Sequence, residues 1–138
     1  MPATNQSAFL LWSLAPSGLG TTISAAGNSG AWSAANPSAE SPVDFRWVDD
    51  LALLVNVTGI TSSPTFKVNV DVFDDQGNVY AAVASTANIT GAGAAAPVYI
   101  GRHGGASGNF VVLPAWGRVS WTCTGGSVTG VQINLWGR

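Results

Sequence analysis

The chain has 138 residues, 46% of them hydrophobic and only 9% charged, with a formal net charge of −2. That length makes a single domain able to bury its own core, and a lone lysine without a basic cluster excludes the phosphate-neutralising footprint of a nucleic-acid binder. A typical soluble domain carries about 25% charged residues, so like-charge repulsion opposes close packing only weakly here, as in proteins held in an assembly, and composition fits an ordinary secreted β-domain equally well.

One cysteine, Cys123, excludes an internal disulfide and suits folding in a reducing cytoplasm, where a buried thiol acts as a small hydrophobe. No targeting or membrane segment is expected. Residues 1–7 lack the positive start of a signal peptide, and residues 9–14 are far shorter than the roughly 18 apolar residues of a membrane-spanning helix. The Asn-x-Ser/Thr sequons at Asn5, Asn56 and Asn88 are read as chance matches in a Ser/Thr-rich chain.

In chain order, the apolar run at residues 6–14 predicts a first strand, ended by the turn residues Ala15-Pro-Ser-Gly-Leu-Gly20. Residues 21–42 are Ser, Ala, Gly and Asn around an isolated Trp32, a loop or weakly paired edge. Residues 1–42 together form an N-terminal arm or edge region. Over residues 43–57, Phe45 and Trp47 share one parity. Asp49 and Asp50 then interrupt, and Leu51, Leu53, Val55 and Val57 resume it, which suggests a bend between two strands or an exposed edge.

After a link at residues 59–64 comes the cleanest alternation, with Phe66, Val68, Val70 and Val72 facing in and Lys67, Asn69 and Asp71 facing out. A turn at residues 74–78, a return strand at 79–83, a low-complexity surface loop around residues 91–96 and brief strands at 98–100 and 109–113 follow. Residues 117–136 read as a closing β-hairpin. Val119, Trp121 and Cys123 share one face of the first arm, and Val131, Ile133 and Leu135 one face of the second. A loop of Gly125-Gly126-Ser127 would set Val119 opposite Ile133 and Trp121 opposite Val131. The sum is eight or nine short strands without helical periodicity: an all-β, two-sheet antiparallel β-sandwich of jelly-roll or immunoglobulin-like topology.

Chemistry-bearing residues are sparse. His103 stands in a glycine-rich loop without a recognisable orienting acid, and Cys123 lacks an activating neighbour. Asp71, Asp74, Asp75 and Asn78 superficially resemble a calcium loop but lack its twelve-residue spacing and final Glu, so they read as a turn. No catalytic, cofactor or metal residues are expected, and the chain is not read as an enzyme. Six tryptophans offer either interface anchors or sugar-stacking platforms. Phe9, Trp12, Trp32, Arg118 and Trp136 are the candidate contact residues.

Four segments, Leu54-Val-Asn-Val-Thr-Gly-Ile-Thr-Ser-Ser-Pro-Thr65, Val70-Asp-Val-Phe-Asp-Asp-Gln-Gly-Asn78, Leu113-Pro-Ala-Trp-Gly-Arg-Val-Ser-Trp121 and Gly126-Ser-Val-Thr-Gly130, occur in an order that resembles small β-sandwich virion proteins of tailed bacteriophages. The resemblance spans about residues 50–136 and is one of strands and turns. It implies a capsid decoration or cement protein on the capsid exterior, folded in the bacterial host cytoplasm. The implied partners are the major capsid protein and further copies of the chain as a trimer, with no nucleic acid and no membrane. A carbohydrate- or cell-surface-binding module on a tail or fibre, with a glycan as ligand, is the alternative.

Overall fold

The computed structural model describes residues 8–15, 20–30, 42–101 and 114–138. Its elements are β1 (Phe9–Leu14), β2 (Thr21–Ile23), β3 (Gly27–Asn28), β4 (Val43–Asp44), β5 (Asp50–Val57), β6 (Gly59–Thr61), β7 (Thr65–Phe73), β8 (Val79–Ser85), β9 (Gly93–Ala94), β10 (Val98–Gly101), β11 (Trp116–Thr124) and β12 (Ser127–Gly137). One sheet runs β1-β12-β5-β10, with β2 and β6 also on β12 and β9 on β5. The other runs β3-β11-β7-β8, with β4 also on β11. Every pairing is antiparallel. The all-β, two-sheet sandwich expected from the alternation is therefore the fold. The described residues alone hold twelve strand segments against the eight or nine expected, because pieces of two or three residues leave no periodic signal.

The chain alternates between sheets in pairs of elements, β1 and β2 in one, β3 and β4 in the other, and so on to β10. The closing hairpin is overturned by this topology. β11 and β12 do not pair; they belong to opposite sheets, and residues 125–126 carry the chain across. Gly125 takes φ +83°, open to glycine at little cost. A Cβ on Gly126 would collide with the Thr61 carbonyl oxygen, so the corner rests directly on the turn after β6. The shared parity noticed in the two arms is real, but the two apolar faces meet across the core instead of lying side by side. Val119 pairs with Val70 and Trp121 with Val68, while Ile133 pairs with Val55 and Leu135 with Leu53.

The core is the space between these inner faces. Phe66, Val68, Val70 and Val119 from one sheet and Leu53, Val57, Ile133 and Leu135 from the other are essentially inaccessible to water. Each contributes roughly 1.5–3 kcal/mol of transfer free energy. Phe45 plugs one end of the core. It packs so closely on Gly117 that a Cβ there would overlap its ring.

The bend expected at Asp49-Asp50 is present, carrying the chain from β4 in one sheet to β5 in the other. Phe45 and Trp47, placed on one face by parity, part company there. A turn closed by the Val48 amide donating to the Phe45 carbonyl breaks the alternation and leaves Trp47 83% exposed. The surface loop after β8 also does more than expected. Thr86 and Asn88 accept hydrogen bonds from the Val68 and Phe66 amides through their side chains, and Ile89 enters the core. The link at residues 59–64 contains β6, paired with β12. In the region read as an arm, β1 is built into the seven-stranded sheet and β3 into the other, so its described parts are edge strands. Trp32, His103 and the strand expected at residues 109–113 lie outside the described residues.

Candidate functional site

With the inner faces spent on the core, the side chains free to meet another molecule are those of the two outer faces and the sandwich ends. On the seven-stranded sheet, the register places Leu10 beside Trp136, Trp136 beside Ala52 and Ala52 beside Tyr99, one from each of β1, β12, β5 and β10. At a strand spacing of about 4.8 Å this row is about 14 Å long. Leu10 is 43% and Tyr99 44% exposed, Trp136 is half-buried, and Leu54 is exposed in the next row beside Asn134. Ser13 donates to Asn134 Oδ1 at 2.6 Å and so borders the apolar row with a polar one.

Trp136 takes the outward position that its parity against Val131 and Ile133 predicts. Its neighbours Leu10, Ala52 and Tyr99 were not legible as such, because they come from strands distant in sequence. Phe9, at the start of β1, is also exposed. Trp12 has an intramolecular role: its ring stacks on Trp121 at 6.4 Å and 25°, joining β1 of one sheet to β11 of the other. Both rings are half-buried, so Trp121 faces inward as expected but sits at the margin of the core.

The outer face of the five-stranded sheet is polar. Asn69 and Asp71 point away from the core by parity, yet both are buried. Asp71, 1% exposed, accepts hydrogen bonds from Arg118 Nε and from the Ala82 amide, each at 2.7 Å. The second bond pins a register shift between β7 and β8 at which Ala82 takes φ +53°. Arg118 is thus held by its inner nitrogen, with its guanidinium 5.6 Å from the Phe73 ring centre. The next row along is Asn28, Ser120, Asn69 and Ser85, one residue from each of four strands. Asn28, Ser120 and Asn69 of this row, together with Arg118, Ala81, Ala82 and Thr122, line a shallow groove of about 440 Å³.

At the sandwich end, Arg46 pairs with Asp44 at 2.8 Å and lies 4.7 Å over the Trp116 ring. The hydrogen bond from Arg46 holds the Asp44 carboxyl below its ordinary pKa. Asp50 is engaged by Arg138.

Asp71, Asp74 and Cys123 all serve the fold. Asp74 accepts from the Asn78 side chain, the Gln76 and Asn78 amides and the Tyr80 hydroxyl, so its carboxylate closes the turn before β8. These bonds, the Asn78 side chain first, hold it below its ordinary pKa. Cys123 is buried, with Sγ 3.6 Å from the Ile23 and Gly126 carbonyl oxygens, and burial pushes its thiol pKa up. Among the described residues no three His, Cys, Asp or Glu side chains gather into a metal-binding group, and no helix is long and apolar enough to cross a membrane. No protein-family model matches the chain, and neither do any curated protein or solved structure.

Proposed function

We propose that the protein is a non-enzymatic structural protein that works by association, and more specifically a virion protein that decorates a capsid exterior and cements it by bridging capsid subunits. The observation that carries the associative reading is the outward apolar row of Leu10, Trp136, Ala52 and Tyr99. Aromatic residues on a weakly charged surface are the usual anchors of protein interfaces. The virion assignment rests on the order of strand and turn segments in residues 50–136. Its partners are the major capsid protein and further copies of the chain, as a trimer, with no nucleic acid.

The test is the native mass of the purified chain together with its co-sedimentation with assembled capsids. A Leu10→Asp/Tyr99→Asp variant alters only exposed side chains, so it folds and loses its place in the assembly. A monomer that leaves capsids bare, or a variant that binds them as well as the parent, refutes the proposal.

One observation favours the carbohydrate-binding alternative. Trp136 and Tyr99 stand on the same outer face two strands apart, about 10 Å, a spacing on which a saccharide chain can stack. Glycan-array binding that disappears in Trp136→Ala decides for that reading.

A further inference from the structure

We propose that the groove on the outer face of the five-stranded sheet binds a carboxylated sugar unit, its carboxylate on Arg118 and its hydroxyls on Asn28, Asn69, Ser120 and Thr122. This site lies on the opposite side of the sandwich from the apolar row and stands independently of the assembly role.

Arg118 is the cation among the described residues lining the groove. A guanidinium has five N–H donors in a rigid fork suited to bidentate carboxylate binding. Here Asp71 engages only Nε, and its other oxygen is taken by the Ala82 amide. The two terminal nitrogens of Arg118 have no hydrogen-bond partner among the described residues, while no buried side-chain nitrogen or oxygen there lacks one. Those nitrogens therefore meet solvent, on a residue that lines the groove. Asp71 and Phe73 hold the guanidinium in place, so little rotamer entropy is lost when a ligand binds.

Asn69 supplies a second fixed donor. It is 8% exposed, and its Oδ1 accepts from the Ser85 hydroxyl at 2.7 Å. Its amide nitrogen has no partner among the described residues and, by the same reasoning, opens on the groove. Asn28 likewise spends its Oδ1 on the Gly30 amide, leaving the NH₂ side. Ser120 and Thr122, on the same face of β11, add hydroxyls that donate or accept.

The result is a surplus of donors with a few ambivalent hydroxyls beside them. That complements an acceptor-rich anion carrying hydroxyl groups. Charge agrees: Lys67 pairs with Thr122 on this face and has no ion pair among the described residues, while Asp71, the carboxylate among the described lining residues, is buried and already bonded. A volume of about 440 Å³ lies within the range of small-molecule sites, roughly 300–1,000 Å³.

The test follows the Arg118 Nε–Hε and the Asn28 and Asn69 NH₂ signals of the full chain by NMR during titration with glucuronate, glucose, acetate and inorganic phosphate. Glucuronate is expected to shift all three sets saturably, and at least tenfold more tightly than either glucose or acetate. Arg118→Lys preserves the ion pair to Asp71 but removes the terminal fork, and Ser120→Ala/Thr122→Val removes the hydroxyls. Each is expected to fold and to weaken glucuronate about tenfold, the loss of one good hydrogen-bonding group. Equal binding of acetate or phosphate reduces the groove to a simple anion patch and overturns the proposal. Equal binding of glucose, absence of any saturable shift, or unchanged affinity in both variants also overturns it.

Discussion

Replacing Arg118 by Met keeps most of the aliphatic stem over Phe73 and removes the charge that faces Asp71. The Asp71 carboxylate then sits 1% exposed with, among the described residues, only the Ala82 amide donating to it. Breaking a fully buried pair costs about 3–5 kcal/mol. The Arg118 side chain is 20% exposed in the native protein, so water reaches part of the vacated space and the low end applies, about 3 kcal/mol. For a domain of this length, each kcal/mol moves the melting temperature by about 3–4 °C, so Tm should fall by about 10 °C. Adding Asp71→Asn removes the stranded charge and retains an acceptor for Ala82, and it should return about 1–2 kcal/mol. Thermal and urea unfolding of the parent, Arg118→Met and the double variant measure all three. A loss below about 1 kcal/mol in the single variant, or further destabilisation in the double, would show that the Asp71 charge does not depend on Arg118, contrary to the geometry.

Because Asp44 and Asp74 titrate below their ordinary value of 3.8 in the folded chain, the stability they confer is complete above that value and is lost as pH falls through the lower folded values. Stability measured by urea unfolding should therefore be level down to about pH 4 and drop below it, with part of the drop missing in Asp74→Asn. Cys123 should remain unreactive toward a disulfide reagent in the native chain and react as one thiol on unfolding; fast native labelling would contradict its burial. Gly130→Ala should cost at least about 2 kcal/mol, since an L-residue at φ +60° is strained by 1–2 kcal/mol and the new Cβ would overlap Thr58. Cross-strand NOEs should link Val119 with Val70 and Trp121 with Val68, and backbone NOEs between β11 and β12 would refute the sheet assignment.

Period-2 alternation by itself determined that the chain is all-β, which residues face inward on the long strands, and that Trp136 faces out. Side-chain parity is a local property of an extended chain, so Val119 and Cys123, Val131 and Ile133 were legible in the order of residues. Parity does not say with which strand a segment pairs. Residues 117–136 satisfy a hairpin and a crossing equally well on their own. The outcome rests on the nine-residue ladder between β11 and β7 and on β12 lying between β1 and β5. The same limit hid both candidate surfaces. Leu10, Ala52 and Tyr99 become neighbours of Trp136 only through strand pairing. Arg118 acquires its partner only because β11 lies beside β7, forty-seven positions away in the chain, and pairing over that distance is decided by burial of whole sheet faces, which no local pattern encodes.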